Sequence, residues 1–487
     1  MKQLLTRSQK PGMANASFPL VLAVIVTLIT SSVALLTTSN EHMFVRKSDG
    51  GRIWAVIVAG SKEYYNYRHQ VRHGALSNHR SRSQGISGKV RPSAFPQADA
   101  CHAYQILHSH GIPDERIIVM MYDDIADNEM NPTPGTIINH PDGEDVYRGV
   151  KKDYTGEDVT PDTFISVLAG HKHAVEGRGS GAVLESSAND HVFVYFADHG
   201  APGLVAFPAG EDPFLHAGDL TSVLHEMARQ KRFSKLVFYM EACESGSMFA
   251  NLSANINVFA MTAANSMESS YACYYDSDRQ TYLGDTFSVS WMEDTDEENI
   301  SSETINRQYS IAKAKTTLSH VQRFGDLRLG GLTVSEFQGR RQRQELISYS
   351  RLPTDQVPSH DVPLEILRRK LESAPSKASR LAIRREIGTL LRKRKALNNL
   401  VDTMLKNLTL DESIYLRMIT EVSDVGDDGC YKEVTRAFHQ CVKFNENNYA
   451  LRQLFKFANA CKVSSDHELI ITQIELRCPN PRWTGIH

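Results

Sequence analysis

The chain has 487 residues, of which 41% are hydrophobic and 23% are charged, and its formal net charge is −3. This length and apolar content predict a sizeable core that is divided among more than one domain. The nearly balanced charge argues against a nucleic-acid-binding protein. Seven cysteines are too few for a disulfide scaffold, and their odd number leaves at least one thiol free.

The N-terminus has the pattern of a targeting signal. Basic residues precede the apolar stretch 18–36, and a polar segment with small residues follows it. We predict a secretory signal peptide over residues 1–40, with cleavage favoured over retention as a signal anchor. No other stretch could span a membrane, so no stable membrane association is expected after cleavage. Glycosylation sequons at Asn251, Asn299 and Asn407 support secretion only weakly.

Short apolar runs alternate with amphipathic segments in the first 320 residues or so. The predicted buried strands are 53–59, 116–122, 191–196, 236–240 and 257–263. The predicted helices are 98–111, 164–174, 220–230 and 304–317, and residues 128–161 are predicted to be a loop with turns. Strands that alternate with helices predict an α/β fold with a mostly parallel sheet.

The C-terminal part has a different pattern. A Pro-rich stretch at 352–364 predicts a linker. Beyond it, apolar residues recur at helical spacing over 366–371, 380–405 and 414–422, which predicts an all-α domain. The strongly basic stretch 384–395 favours a solvated helical face over a partner-binding patch. Four cysteines near the end of the chain suggest two disulfides.

A histidine and a cysteine each follow a predicted strand. Residues 191–196 lead into Asp198-His199-Gly200, and residues 236–240 lead into Glu241-Ala242-Cys243. The carboxyl ends of parallel strands share one edge of a sheet, where ligands bind. A base and a thiol on one edge are what a cysteine nucleophile requires. A lone cysteine at a strand end is more often a buried structural thiol, so further residues must decide.

Several other sequence segments supply this further information. The segments IVAGS, YNYRHQ, ADACHAYQ, DHVFVYFADHG, FYMEACESGSM, ESSYACYY and TYLGD together resemble the legumain family of asparaginyl endopeptidases, which belongs to the caspase-like clan of cysteine peptidases. The resemblance runs from about Trp54 to the C-terminus. It implies a caspase-like peptidase domain at 41–350 with a mostly parallel sheet flanked by helices. A linker or activation peptide would occupy 351–372, and an all-α prodomain 373–487.

The resemblance also implies roles for matching residues. Cys243 would be the nucleophile, His199 its base and Asn66 the third catalytic residue, with the backbone N–H groups of Gly200 and Cys243 as oxyanion donors. The substrate-binding residues would be Arg68, His69, Glu241, Ser270 and Asp285. An Asn side chain both donates and accepts hydrogen bonds, which suits a pocket that carries both charges. Acidification would then permit cleavage after Asp as well. The joint presence of these residues favours catalysis.

The family further implies a prodomain that caps the site at neutral pH, with the crossed disulfides Cys430–Cys461 and Cys441–Cys478. Acid release would follow from protonating carboxylates that pair with basic helices. Expected partners are protein and peptide substrates with Asn before the scissile bond, and cystatin-type inhibitors. The expected location is the secretory route, either lysosome or vacuole or outside the cell. No cofactor and no metal are expected, because two His-x-His pairs lack further ligands at suitable spacing.

The chain departs from the family at three places, the first being residues 168–171, which read LAGH where some relatives have an Arg-Gly-Asp tripeptide. The junction run 368–373 has no Asn, so activation would need self-cleavage at Asp355 or Asp361 at low pH, or another protease at the basic run. Residues 71–97 interrupt the match with a basic insertion that has no acidic residue and no apolar periodicity. Its ends can be encoded by sequences that look like a splice donor and acceptor. Our hypothesis is a retained intron or a gene-prediction error, which transcript sequences would decide.

Two alternatives stay open at this point. A transpeptidase or ligase of the same family would let an amine intercept the acyl-enzyme, and the sequence barely separates it from a hydrolase. In a different class, the insertion at 71–97 would leave a catalytically impaired protein that acts only by binding. Cleavage of an Ala-Ala-Asn substrate after acid treatment, with Cys243→Ser as the control, separates an active enzyme from a binding protein.

Overall fold

A central sheet organises the computed structural model, which describes residues 51–62, 95–340, 354–426, 428–464, 466–478 and 484–487. The strands are β1 (Ile53–Ala59), β2 (Ile117–Met120), β3 (His191–Ala197), β4 (Gly200–Ala201), β5 (Leu204–Ala206), β6 (Phe214–His216), β7 (Lys235–Glu241), β8 (Val258–Thr262), β9 (Tyr271–Asp276), β10 (Thr281–Asp285), β11 (Gln322–Gly325) and β12 (Val357–Pro358). Within the described residues, the central sheet has the order β11-β8-β7-β3-β1-β2.

Helices cover both faces of this sheet and form the C-terminal region. They are α1 (Phe95–Ser109), α2 (Pro161–Ala169), α3 (Ala217–Arg229), α4 (Thr286–Glu297), α5 (Ile305–Lys315), α6 (Ser335–Gln338), α7 (Val362–Glu372), α8 (Lys377–Lys406), α9 (Glu412–Thr420), α10 (Asp428–Val442), α11 (Leu454–Val463) and α12 (His467–Arg477).

The sheet is parallel apart from its edge strand β11. Alternate residues of β3 and β7 enter two different cores, one against α1, α4 and α5 and the other against α2 and α3. Burial on both faces explains why these strands are continuous apolar runs. The prediction of a mostly parallel sheet flanked by helices, followed by a helical C-terminal region, is confirmed.

Several element boundaries differ from prediction. The helix predicted at 164–174 spans Pro161–Ala169, because Thr160 accepts a hydrogen bond as its N-cap and Gly170 ends it with φ of 69°. Strands β4–β6, β9, β10 and β11 were not predicted. They are short, and they pair outside the parallel core, so their apolar runs are brief.

The predicted linker at 352–364 is wrong in part. Its residues Val357–Pro358 form β12, which pairs with β9, and α7 begins at Val362. Proline at the second position of α7 is compatible with a helix start, since its missing N–H has no partner there anyway. The Pro-rich composition therefore marks an edge strand and a helix N-terminus rather than a free linker.

The insertion at 71–97 lies mostly outside the described residues, as do Asn66, Arg68 and His69. Its last residues belong to α1, where Gln97 is buried and donates to the Ser61 carbonyl at 3.2 Å and to Asp124 at 2.9 Å. Since Gln70 and Gln97 can each precede the ADACHAYQ motif, residues 70–96 describe the insertion equally well.

The C-terminal helices have a core of their own, which also takes in side chains of the β4–β6 sheet. Disulfides join Cys430 to Cys461 and Cys441 to Cys478, the pairs that the family resemblance implies. Covalent links of this kind stabilise a small helical region by roughly 2–4 kcal/mol each. Among the described residues, no helix is long and apolar enough to cross a membrane.

Candidate active site

Cys243 lies just beyond the end of β7, where the chain turns sharply. Glu244 has a positive φ of 50° and begins a short 3-10 helix at Ser245–Phe249. A positive φ is uncommon for residues other than glycine and marks a turn held by its surroundings. The backbone N–H of Glu244 donates to the Glu268 carbonyl at 2.8 Å, which fixes this turn. The thiol is therefore presented from a rigid strand end.

His199 follows the neighbouring strand β3, as predicted from the parallel order of the sheet. Gly200 comes next, and a Cβ atom there would lie 2.0 Å from the Cys243 carbonyl oxygen. Only glycine permits this approach of the two strand ends. His199, Gly200 and Cys243 line one cavity of about 270 Å³.

Ser270 connects the thiol to a buried carboxyl group. Its backbone N–H donates to Cys243 Sγ at 3.4 Å, and its hydroxyl lies 3.7 Å from the same sulfur. The hydroxyl also interacts with the carboxylate of Glu241, which lies two residues before the thiol in the chain. Ser270 thus links the reacting atom to the residues that the family resemblance assigns to substrate recognition.

Glu241 and Asp285 are buried carboxylates with unfilled hydrogen-bonding capacity. Glu241 Oε2 accepts from the backbone N–H and the hydroxyl of Ser288, each at 2.9 Å. Among the described residues, Glu241 Oε1 and Asp285 Oδ1 have no hydrogen-bond partner. Burial raises the pKa of Glu241 to about 7. The pKa of Asp285 is also raised, mainly by burial and secondly by the negative charge of Glu241. Two such acceptors are suited to a ligand that donates N–H groups.

Burial also controls the reacting pair. It raises the pKa of the Cys243 thiol to about 12, and the adjacent Glu244 adds to the effect. Burial, and then the charge of His360, lowers the pKa of His199 to about 4. A neutral thiol beside a neutral imidazole is a poor nucleophile, since the thiolate is the reactive form. The structure therefore shows the thiol and the imidazole in their neutral forms, before any proton transfer to His199.

A segment at residues 355–361, here named the closing segment, covers this site. Its strand β12 pairs antiparallel with β9, and the Ser359 N–H donates to the Ser270 carbonyl at 3.0 Å. His360 then enters the cavity beside His199 and Cys243, where its Nδ1 lies 2.9 Å from the Ser269 hydroxyl. The segment therefore contains the two-residue strand Val357–Pro358 and a 3-10 helix at Ser359–Asp361 that carries His360 into the cavity.

The helical C-terminal region supplies the other wall of the cavity. Asn448 Nδ2 lies 3.4 Å from His199 Nε2, and Arg452 lowers the pKa of Glu244, which burial raises to about 8. Farther out, Arg394 donates to Asp361 at 2.5 Å and to the His360 carbonyl at 2.7 Å. These contacts hold the closing segment in place.

Comparison with known proteins agrees with this geometry. The sequence profile described as "Peptidase C13 family" matches residues 84–340, which is more than half of the chain. Legumain of Homo sapiens is 45% identical over 435 residues, covering 86% of this chain and 93% of that protein. The chain belongs to the peptidase C13 family. It is a cysteine endopeptidase that acts on protein substrates.

Other members of the C13 family are similar over most of their length. The vacuolar-processing enzyme delta-isozyme of Arabidopsis thaliana is 38% identical over 91% of this chain and 94% of that protein. Among solved structures, caspase-1 from Spodoptera frugiperda aligns with a TM-score of 0.31 at 11% identity, over 61% of this chain and 92% of that one. The family assignment rests on the sequence relatives.

The structure brings together the predicted residues that it describes: His199, Gly200, Glu241, Cys243, Ser270 and Asp285. Asn66, Arg68 and His69 lie outside the described residues. Sequence reasoning missed His360 and Asn448 as cavity residues. Both residues are distant from Cys243 in the sequence and reach the cavity only in the folded chain. No local sequence pattern therefore identifies them.

Proposed function

We propose that this C13 peptidase cleaves after Asn and is made as a zymogen that acid opens. The pair of unfilled acceptors on Glu241 and Asp285, joined to Cys243 through Ser270, carries the proposal. The carboxamide of Asn offers two N–H donors to these oxygens, and Arg68 would supply donors to its carbonyl by family resemblance. At lower pH a protonated pocket carboxyl would also accept Asp.

The chemistry assigns one task to each group. His199 takes the thiol proton, and Cys243 Sγ attacks the carbonyl carbon after Asn. The N–H groups of Gly200 and Cys243 bind the developing oxyanion, and Asn66 orients the imidazole. The imidazolium then donates its proton to the leaving amine, and water releases the acyl group with His199 again as base.

Buried histidines support acid opening. In the closed state burial holds the pKa of His199 at about 4, below the ordinary value of 6.5, and burial also lowers the pKa of His360. The open state therefore binds more protons as the pH falls below 6.5, which favours opening. The cavity wall also contains Glu244, whose raised pKa acts in the opposite direction, and the fixed charge of Arg452.

Asp361 acts outside this pH range. Burial alone would raise its pKa, but hydrogen bonds and charge from His360 and Arg394 bring it well below the ordinary value of 3.8. A carboxylate with a depressed pKa stabilises the closed state above that ordinary value and loses its effect only in stronger acid. We therefore assign acid opening mainly to the histidines rather than to carboxylates paired with basic residues.

The remaining expectations form part of the same proposal. Residues 1–40 would be a signal peptide, followed by a peptidase domain to residue 350, an activation segment to 372 and a prodomain to 487. The sequon residues Asn251, Asn299 and Asn407 are exposed and accessible to glycosylation. Entry through the secretory route would lead to a lysosome or vacuole, or outside the cell. Cystatin-type inhibitors would bind after the closing segment has left.

An Ala-Ala-Asn fluorogenic peptide tests the proposal. The full chain is held at acid pH and assayed beside Cys243→Ser and beside peptides with Gln or Asp in place of Asn. We expect acid-dependent cleavage that prefers Asn and disappears in the variant. Activity that survives Cys243→Ser would overturn the mechanism, and equal cleavage of the Gln peptide would overturn the specificity. Transfer to an added glycine-terminated peptide would reveal ligase activity.

A further inference from the structure

A buried chain of polar side chains leads away from the proposed Asn pocket. It starts at Asp285, whose backbone N–H donates to Asp99 Oδ2 at 3.3 Å. The other oxygen of Asp99 accepts from Asn139 Nδ2 at 2.6 Å, and the same amide donates to the Leu283 carbonyl at 2.8 Å. Asp99 is fully buried, and Asn139 and Asp285 are each 3% exposed.

His102 continues the chain on the next turn of α1. Its Nδ1 lies 2.8 Å from Asn139 Oδ1, and its Nε2 lies 3.3 Å from Asp296. Because the Asn139 amide donates to Asp99 and Leu283, its oxygen must accept from His102 Nδ1–H. Nε2 must then also carry a proton to bond the carboxylate, so the chain contains an imidazolium. Although burial lowers the pKa of His102, its bond to Asp296 brings it above 6.5.

The neighbouring backbone is shaped to admit this chain. A Cβ atom on Gly284 would lie 2.9 Å from Asn139 Nδ2, 3.0 Å from Asp99 Oδ1 and 2.7 Å from a Val289 methyl. Glycine at this position lets the two polar side chains reach the strand that carries Asp285. Buried polar groups are costly unless they are paired, so four linked side chains beside one strand end indicate a specific task.

Resting on the proposed function, we propose that Asp99 is a positioning residue for the Asn pocket. Its carboxylate anchors the backbone of Asp285 at the end of β10, and Asn139 and His102 hold that carboxylate in place. Burial raises the pKa of Asp99 as well as that of Asp285, and the two carboxyl groups interact directly. Two carboxyl groups that share one buried site cannot both ionise easily, so Asp99 makes a protonated Asp285 more favourable. Asp99 thereby adjusts the pH at which the pocket changes from Asn to Asp.

Among the described residues, four further ionisable side chains interact with Asp285. Glu241 on β7 and Asp198 after β3 raise the pKa of Asp285 when they are ionised, and burial raises the pKa of each of them as well. Tyr195 on β3 and Cys273 on β9 are buried and neutral, since burial raises the pKa of each. By family resemblance Arg68 and His69 would add positive charge. Asp99 differs from all of these because it also bonds the Asp285 backbone.

The test compares two peptides that differ only in Asn or Asp before the scissile bond. The ratio of kcat/KM for Asp to that for Asn is measured from pH 4 to 7 with the acid-matured enzyme. The midpoint is the pH at which this ratio is half-way through its change. In Asp99→Asn we expect the midpoint to move to lower pH. The ratio in acid should fall roughly three- to tenfold, because a shift of one pKa unit corresponds to a factor of ten. Asn139→Leu should move it the same way, since Asp99 protonates more readily without the amide bond.

Asp294→Asn is the matched control. Asp294 is 1% exposed on α4 and bonds Gln308, outside the chain that leads to Asp285. It should leave the midpoint in place. Variants of Asp99 and Asn139 that only lose thermal stability, with the midpoint unmoved, would overturn the inference while wild-type cleavage after Asn still stands. A wild-type enzyme that cleaves neither peptide would overturn the proposed function and this inference together.

Discussion

The reacting pair and the polar pocket are governed by different parts of the chain. Cys243 and His199 are neutral because the closing segment and the C-terminal helices bury them. Glu241 and Asp285 are instead fixed from within the sheet, by Ser288 and Asp99. The reacting pair thus lies beneath the closing segment and the C-terminal helices, together named the cover, whereas the two carboxyl groups are held by residues of the core.

The strongest test of this difference removes the base from the mature enzyme. His199→Gln should lower kcat by roughly 10²- to 10⁴-fold, the range for a lost general base. His216→Gln is the matched control, because His216 is 2% exposed and burial lowers its pKa to about 4 as well, yet it lies outside the cavity. The control should keep near wild-type activity. A His199→Gln enzyme with unchanged kcat would contradict the assignment.

Self-maturation gives the next largest effect. The carboxylate of Asp355 accepts from the N–H groups of Tyr274 and Tyr275 at 3.1 and 2.6 Å, and Asp361 pairs with Arg394. Both side chains are occupied away from the pocket, so cleavage after them requires the closing segment to leave first. The Asp355→Ala, Asp361→Ala double variant should fail to mature in acid, as followed by mass spectrometry of the new C-terminus.

Glu372→Ala, on the exposed end of α7, serves as the control and should mature normally. Because the segment must leave before it is cut, wild-type maturation should proceed between molecules and accelerate with protein concentration. Purified double variant that matures alone, at the wild-type rate, would show that neither aspartate is the cleavage site.

The parallel core was predictable from sequence because burial on both faces leaves long apolar runs, as in β3 and β7. The same order placed His199 and Cys243 at one edge. Glu241, Ser270 and Asp285 came from family resemblance, since no periodicity marks a pocket residue. The predicted signal and the insertion at 71–97 are untested by the described residues, apart from the last residues of the insertion in α1.

The structure of the closing segment could not be predicted from its amino-acid composition. Its prolines suggested a linker, yet one of them lies in β12 because an edge strand tolerates a missing N–H. Likewise, Asp99 looked like part of an ordinary amphipathic helix. Its pairing with Asp285 joins residues that are 186 positions apart, and only tertiary structure reveals it.

A substitution at Arg394, which does not line the cavity, should weaken the contacts that hold the closing segment over the site. Arg394 is 6% exposed and holds the Asp361 carboxylate and the carbonyls of His360 and His487. Because the Asp361 side chain is 33% exposed, removing its partner should cost less than the roughly 3–5 kcal/mol of a fully buried pair. Arg394→Gln should therefore show peptidase activity at pH 7 without acid treatment.

Arg392→Gln is the matched control for this prediction. Arg392 is exposed on the same helix and bonds only Thr389 among the described residues. It should stay as inactive at pH 7 as the wild type. If both variants stay inactive at neutral pH, the Arg394 contacts are not what keeps the cover closed.

The smallest expected effect separates the two histidines of the cavity. In His360→Asn one titrating group is lost from the cover while His199 is retained. Since burial lowers the pKa of His360 in the closed state, its protonation favours opening below pH 6.5. Without it, opening should need more acid, by less than about one pH unit. Alkylation of Cys243 across the pH range, measured by mass spectrometry, gives the midpoint directly.

His439→Asn should leave that midpoint in place, because His439 is buried within the helical region and is not among the residues that line the cavity. A midpoint that moves upward in His360→Asn would mean that His360 stabilises the closed state through its contacts, and it would contradict this prediction. An unmoved midpoint would assign acid opening to His199 alone. In either case the polar pocket should keep its preference for Asn, because its carboxylates are positioned from β7, β10 and α1 and not from the cover.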